Sequence, residues 1–367
     1  MAESYAKDGP EARYARWVLT KNLHVKRGER VTIEGWSHSL PWAVALAREA
    51  RRLGARPLLL YEDEGAYWDS VDAREDALLG SVPDHEWAAL GKTDVFVHLW
   101  GAGDRPRLVQ LGPARAGKLT AWNDEWYRRA AKAGVRGARL EVGRVYPTLA
   151  ERYGVDEATW TDQLVRGTMV DPRALERAAA PLKTALERGR TVRIFDDDGT
   201  DLTLGLARRP ATVLAGQLHP ADYKVIFRRL MSLPAGSMRV ALDEKVAEGT
   251  IVANRTCFYE AATATGGRFT FKNGKLVDHS FESGGEIFDG DFRTGGKGRD
   301  QPGLLGIGLN PELRNTPQLE DAERGAILVS VGGNRMAGGK NPSSLFGFVI
   351  NAGAKIEVDG KPLPLGA

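Results

Sequence analysis

The feature that most constrains the fold is a change in sequence pattern close to Gly189. Before this residue, apolar segments typical of buried strands alternate with amphipathic segments typical of helices. After it, short strand-like segments follow one another, and many are separated by glycine. Alternating strands and helices predict a parallel sheet with right-handed crossovers, whereas consecutive short strands predict antiparallel pairing. We therefore predict an α/β domain over residues 1–189 and a mostly antiparallel β-rich domain over residues 190–367.

In the first half, five strands and three helices are predicted. The strands are "ERVTIEGW", "RPLLLYED", "TDVFVHLWG", "KLTAWN" and "ARLEVG". Two of the helices are "LPWAVALAREARRLGA" and "DEWYRRAAKAG", and a long third helix runs from Asp171 to Gly189. Pro172 suits the first position of this third helix, while Pro181 lies inside it and predicts a kink or break.

The second half contains a clear hairpin signal. The segment "FKNGKL" places Asn273 and Gly274 between two strand-like runs, and Asn-Gly favours the tight turn of a β-hairpin. The segment from Asp278 to Asp300 is rich in acidic residues and glycine. It reads either as a chemically active cluster or as an exposed loop. In a strand, Asp289 and Asp291 would share one face.

Composition excludes several classes of protein. The 51 lysines and arginines are spread among 48 aspartates and glutamates, with a net charge of +3 and no dense basic block, so nucleic acid is not an expected partner. No apolar run approaches the length of a membrane span, and the first ten residues lack the apolar core of a signal peptide. Cys257 is the single cysteine, which excludes an internal disulfide or a thiolate metal cluster. We expect a cytoplasmic protein.

Several segments carry a resemblance to a known family. They are "LHVKRGERVTIEGWSHSLPWAVALAREARRLGARPLLLYEDE", "DGTDLTLGL", "LPAGSMRVALDEKVAEGTIVAN", "GLLGIGLNP" and "GGNRMAGGKNPSSLFGFVI". In order and content they resemble the aminopeptidase T family of metallopeptidases. The resemblance implies two metal ions in a cleft between an α/β domain and a β-rich domain, where carboxylate and histidine ligands hold them. It also implies a homodimer.

The residues at the family's ligand positions differ from that pattern. Two glutamates of the family align with Ser237 and Leu304, and its final histidine and aspartate align with Leu345 and Gly347. No histidine follows His279. A dinuclear site, which needs several carboxylate and histidine ligands, cannot be built from one serine, two leucines and a glycine. We therefore expect a divergent member that has no bound metal and no other cofactor.

Other residues in the same segments are candidates for chemistry. Asn334, Arg335 and Lys340 in the final glycine-rich loop would bind and polarise an anionic substrate, because fixed cations can stabilise negative charge in place of a metal. Tyr223 is a further candidate for substrate binding. The catalytic candidates are Ser237, His219, His279 and Asp291. For each, a plain structural role is the alternative: a turn serine, a solvated basic loop, or an exposed acidic loop.

These sequence features are compatible with three functions. The first is a hydrolase-like enzyme of the aminopeptidase T fold that acts without metal on a small anionic or aromatic substrate in the cleft. The second is a metal-dependent aminopeptidase, or a ring-cleaving dioxygenase, with relocated ligands. The third is a non-catalytic binding protein that retains the fold. A small molecule is the expected partner in each case.

Overall fold

A computed structural model describes residues 9–73, 79–259 and 262–365. The chain forms two compact units. The first combines Met1–Pro172 with Gly216–Pro234, and the second combines Arg173–Ala215 with Ala235–Ala367. Each unit is built around its own sheet.

The first unit contains a five-stranded parallel sheet. Its strands are β1 (Arg30–Trp36), β2 (Arg56–Glu62), β3 (Val95–Leu99), β4 (Arg136–Leu140) and β8 (Leu230–Leu233), in the order β2-β1-β3-β4-β8. Its helices are α1 (Pro10–Trp17), α2 (Leu40–Arg52), α3 (Glu64–Ala73), α4 (Asp84–Leu90), α5 (Arg105–Gln110), α6 (Gly112–Leu119), α7 (Asn123–Ala133), α8 (Pro147–Tyr153) and α9 (Glu157–Thr168). Val31, Ile33, Val95 and Val97 are fully buried in the central strands, as expected for a parallel sheet covered by helices.

The second unit contains an eleven-stranded antiparallel sheet and a separate two-stranded one. The large sheet comprises β5 (Thr191–Phe195), β6 (Asp201–Leu206), β7 (Thr212–Leu214), β9 (Ser237–Val252), β12 (Arg268–Lys272), β13 (Lys275–Ser280), β14 (Pro302–Gly308), β15 (Ala326–Gly332), β16 (Phe346–Ala352), β17 (Lys355–Val358) and β18 (Lys361–Pro362). The small sheet pairs β10 (Cys257–Phe258) with β11 (Thr263–Ala264), and the helices are α10 (Pro172–Arg188) and α11 (Gly285–Thr294).

The predicted fold class is confirmed: a parallel α/β part precedes a mostly antiparallel β part. The two compact units nevertheless differ from a single division after residue 189. Helix α10 belongs almost entirely to the second unit, and residues 216–234 return to the first. They return because β8 pairs in parallel with β4 and extends the first sheet.

Three local predictions differ from the structure, one of them in part. "KLTAWN" is not a strand, since α6 ends at Leu119 and α7 begins at Asn123; a short apolar run does not distinguish a strand from a helix end. Helix α10 continues without a break through Pro181, while a kink there stays a prediction. Residues 285–294 form helix α11 rather than a loop or strand, so Asp289 and Asp291, two positions apart, do not share a face.

Among the described residues, no helix combines the length and the apolar character needed to cross a lipid bilayer.

Two hairpins of the second unit allow a matched test of turn geometry. Gly274 and Gly360 have φ angles of 74° and 75° and follow Asn273 and Asp359 in the β12–β13 and β17–β18 turns. A Cβ atom at Gly274 would lie 2.2 Å from the carbonyl oxygen of Lys245. A Cβ atom at Gly360 would have no neighbouring atom within 4 Å.

We predict that Gly274→Ala lowers the free energy of unfolding by about 2 kcal/mol or more and Gly360→Ala by about 1 kcal/mol. Both substitutions strain a left-handed backbone conformation, but only the first also displaces a neighbouring strand. Urea unfolding of both variants measures the difference. Equal losses would show that the contact with Lys245 is unimportant.

Candidate functional site

The glycine-rich segment between β15 and β16, residues 333–345, is attached to the sheet through one buried amide. Asn334 is 1% exposed, and its Nδ2 donates to Glu244 Oε1 at 3.0 Å and to the carbonyl oxygen of Gly303 at 3.3 Å. Its Oδ1 accepts from the backbone N–H of Asn341 at 2.9 Å. The backbone N–H of Lys340 donates to the same Glu244 oxygen at 2.8 Å. Both ends of the turn are therefore tied to strand β9.

Glu244 itself is held by Arg209. The guanidinium donates to both carboxylate oxygens, at 2.8 and 2.7 Å, and both side chains are nearly buried. Burial alone would raise the pKa of Glu244. The hydrogen bonds from Arg209, from the backbone of Lys340 and from Asn334 outweigh that effect and lower the pKa to about 2. Glu244 is therefore ionised at neutral pH and acts as the anchor of the segment.

The charged residues of this segment are Arg335 and Lys340. Both residues are exposed, and within the described part of the chain neither the guanidinium nor the ammonium group has a recorded hydrogen bond or ion pair. Met336 between them is 79% exposed. The segment therefore combines a rigid buried side, which includes Asn334, with an exposed side that carries two available cations.

Ser237 is the first residue of β9 and is 4% exposed. It lies in register with Gly308 of β14 and Leu214 of β7, so strands flank it on both sides. The structure records no histidine or carboxylate hydrogen-bonded to it among the described residues. Its predicted role as a nucleophile lacks an adjacent base in this unit.

His279 and Asp291 do not form a pair. His279 lies on β13, and its Nε2 is 2.8 Å from Asp289 Oδ1. The centroid of its ring is 4.8 Å from that of Phe288 and 5.2 Å from that of Phe292. Asp291 is exposed on another side of α11. The acidic partner of the imidazole is therefore Asp289, and the catalytic roles of His279 and Asp291 stay predictions.

His219 and Tyr223 belong to the first unit. The backbone N–H of His219 donates to Asp222 Oδ2 at 2.8 Å. Tyr223 lies in a single helical turn, and its carbonyl oxygen accepts a hydrogen bond from the guanidinium of Arg229. The guanidinium of Arg229 also lies over the Tyr223 ring, 5.6 Å from its centroid. These contacts stabilise a turn ahead of β8.

Sequence reasoning missed a buried carboxyl group at Glu320. This side chain is 4% exposed, and its Oε1 accepts the backbone N–H of Phe258 at 2.8 Å. Burial raises the pKa of Glu320 to about 8, against the lowering effect of hydrogen bonds from Phe258 and from its own backbone. The surrounding segment, "PQLEDAERG", has the composition of an exposed loop, so nothing in it signals burial.

Asp321 and Glu323, which follow Glu320 closely in sequence, form ion pairs, and a buried thiol interacts with Glu320. Asp321 accepts from Arg239 at 2.9 and 2.6 Å, and Glu323 pairs with both ends of the Arg255 guanidinium at 2.9 Å. Cys257 is 1% exposed, and burial, with Glu320 nearby, raises the pKa of its thiol above the usual range. A thiol with that pKa is not a reactive nucleophile at neutral pH.

Comparison with known families decides the affiliation of the chain. The model of the thermophilic metalloprotease family (M29) matches residues 10–296, which is more than half of the sequence. The chain belongs to family M29. The family predicted from the quoted segments is thereby confirmed. A search of curated protein sequences finds no match.

Solved structures agree with the M29 fold. Wild-type AmpT from Thermus thermophilus has a TM-score of 0.69 and 18% identity over 98% of each chain. The 2,5-dihydroxypyridine dioxygenase from Pseudomonas putida KT2440 has a TM-score of 0.59 and 16% identity, covering 96% of this chain and 94% of that one. At such identities the likeness shows the fold alone.

The positions that the resemblance assigns to metal ligands do not fit a pair of divalent ions. Leu304 and Leu345 are 7% and 3% exposed, and both side chains are hydrocarbon. A Cβ at Gly347 would lie 2.2 Å from Cε2 of Phe288, so that ring fills the space where a longer side chain would begin. Across residues 9–73, 79–259 and 262–365, no group of three or more His, Cys, Asp and Glu side chains is placed to hold a metal.

We predict that Glu244→Gln lowers the free energy of unfolding by about 3 kcal/mol at pH 7, because it leaves the nearly buried Arg209 without a carboxylate. The pKa of Glu244 is lowered on folding, so its stabilisation is complete above pH 4.5 and is lost as the pH falls towards 2. Urea unfolding at several pH values measures both effects. Glu248→Gln, an exposed carboxylate on the same strand, is the control and should change stability by less than about 1 kcal/mol.

For Glu320 we predict the opposite effect of pH on the free energy of unfolding. Its pKa is raised on folding, so the native state retains a proton that the unfolded state loses, and stability falls as the pH rises from about 4.5 to 8. We predict that Glu320→Gln removes about 2–4 kcal/mol of this decline. Unfolding of wild type, Glu320→Gln and the exposed control Glu282→Gln between pH 5 and 8 tests it. Parallel curves for all three proteins would contradict the assignment.

Proposed function

We propose that this M29 protein is an enzyme that acts on a small anionic substrate, by hydrolase-like chemistry and without the metal pair of its family. The observation that supports the proposal most directly is the pair of available cations, Arg335 and Lys340. They lie on a segment that is held by hydrogen bonds to Glu244. The lack of fit at Ser237 and Leu304 supports the absence of a metal.

A fixed loop with free cations is suited to anion binding for two reasons. Its backbone is already ordered by Asn334, so binding a ligand costs little conformational entropy. The guanidinium of Arg335 can form two parallel hydrogen bonds with a carboxylate, and Lys340 adds a second positive charge. The exposed thioether of Met336 offers an apolar contact beside them.

His279 is the proposed proton-transferring group. Its hydrogen bond with Asp289 orients the imidazole, which is the arrangement that a general base requires. Asp289 lies on α11, about 9 Å along the helix axis from Gly295. The carbonyl oxygen of Gly295 accepts from Ser343 Oγ, at the end of the cation-bearing segment. The end of helix α11 therefore contacts, at Ser343, the same segment that carries Arg335 and Lys340. The catalytic roles of Ser237, His219 and Asp291 and the binding role of Tyr223 stay predictions.

We predict that the double variant Arg335→Ala, Lys340→Ala loses ligand-induced stabilisation by small carboxylates. A panel of aliphatic and aromatic carboxylic acids, with their esters and amides, is screened by thermal shift and then for turnover. A ligand that stabilises the wild type should bind the double variant at least about tenfold more weakly, since two charge-assisted contacts are lost. For a substrate that is turned over, His279→Ala should lower kcat with little change in KM.

The control removes two cations elsewhere in the same unit: Arg190→Ala, Lys355→Ala should bind like wild type. Equal weakening in the control would show that only net charge matters and would contradict the proposed site. Elemental analysis of protein purified without chelator tests the metal-free mechanism, and one or two equivalents of tightly held metal would overturn it. Binding without turnover of any ester or amide would favour a binding protein over an enzyme.

A further inference from the structure

A second feature of the β-rich unit lies after helix α11, in the loop whose Gly295 carbonyl oxygen accepts from Ser343. The loop "GGKGRD", residues 295–300, borders a cavity of about 430 Å³. Its lining consists of Leu276, Phe292, Gly296, Lys297, Gly298, Arg299 and Asp300. A cavity of this size lies within the range that accommodates small-molecule ligands.

Two carbonyl groups of the loop accept hydrogen bonds from side chains of the segment between β15 and β16. Gly295 O accepts from Ser343 Oγ at 2.6 Å, and Gly298 O accepts from Asn341 Nδ2 at 2.7 Å. The opposite is true of the amides. No acceptor in the described ranges is recorded for the backbone N–H groups of Gly296, Lys297 and Gly298.

The backbone conformation of the loop favours anions. Gly295 is right-handed (φ −64°, ψ −8°) and Gly296 left-handed (φ 72°), and a right-handed residue followed by a left-handed one forms a concavity of N–H groups. Gly298 is left-handed as well, with φ 86°. Side chains other than glycine rarely adopt these angles, so the glycines make the concavity possible.

The charged side chains around the cavity also favour the binding of an anion. Neither Lys297 nor Arg299 has a carboxylate partner among the described residues. The Arg299 guanidinium donates one hydrogen bond to the carbonyl oxygen of Arg293 at 3.1 Å and lies 5.3 Å from the centroid of the Phe292 ring. The single acidic lining residue, Asp300, is neutralised by Lys275 at 3.0 Å. Two cations therefore remain beside the free N–H groups, and Phe292 and Leu276 supply an apolar wall.

We propose that this cavity binds a phosphate monoester of a small aromatic or apolar molecule. The phosphate would accept from the N–H groups of residues 296–298 between Lys297 and Arg299, and the organic part would contact Phe292. A phosphate monoester carries close to two negative charges and three acceptor oxygens, which matches two cations and a set of N–H donors better than a carboxylate does. The inference is independent of the chemistry proposed for Arg335 and Lys340.

The test uses phenyl phosphate, inorganic phosphate and phenol as probes, each titrated into the full chain by calorimetry. We expect saturable one-to-one binding of phenyl phosphate, weaker binding of inorganic phosphate, and none of phenol. Lys297→Ala, Arg299→Ala should weaken phenyl phosphate at least about tenfold. Phe292→Leu should remove the preference for phenyl phosphate over inorganic phosphate.

Two further variants make the result specific to this cavity. The charge-matched control Arg190→Ala, Lys355→Ala and the loop variant Arg335→Ala, Lys340→Ala should both bind phenyl phosphate within about twofold of wild type. Melting temperatures without ligand show that each variant is folded. Failure of wild type to saturate, or an equal loss in either of these two variants, would overturn the proposal and leave the function proposed for the other loop untouched.

Discussion

The glycine-rich segment of the β-rich unit depends on one nearly buried carboxylate. Glu244 binds the guanidinium of Arg209, the amide of Asn334 and the backbone of Lys340, so that a single side chain joins β9 to the segment between β15 and β16. A charge in this position is tolerated because every one of its strong donors is supplied by the fold. Without it the glycines of this segment would leave the backbone free to adopt many conformations.

Most of the fold could be predicted because its signals are local. The alternation of strands and helices, Pro172 at a helix start and Asn273–Gly274 at a hairpin all act within a few residues. The role of β8 could not be predicted in this way, because pairing between Leu230–Leu233 and β4 is a long-range contact with no local signature. "KLTAWN" failed for the converse reason, since a local apolar pattern fits two structures equally well.

The candidate site was predictable only in part. The exposed cations of the glycine-rich segment could be recognised, because glycine and charge are visible in the sequence. The network beneath them could not: Glu244 stands beside Lys245, and nothing local indicates which of the two is buried. Glu320 is a stronger example, since its raised pKa comes from burial in the folded protein, and Phe258, whose backbone N–H binds its carboxylate, is distant in sequence. Desolvation is a property of the folded environment.

The path of the chain between the two units has a consequence for biosynthesis. The first parallel sheet includes β8, so its edge beside β4 is covered only after residue 233 has been made. By then helix α10 and strands β5, β6 and β7, which belong to the other unit, have already been synthesised. During synthesis the parallel sheet is therefore incomplete, and one edge of β4 has no strand paired with it. Strands of the second sheet leave the ribosome while the first sheet is in this state. Neither unit can mature as a simple N-to-C-terminal segment, and a fragment ending at residue 189 would carry that open edge permanently.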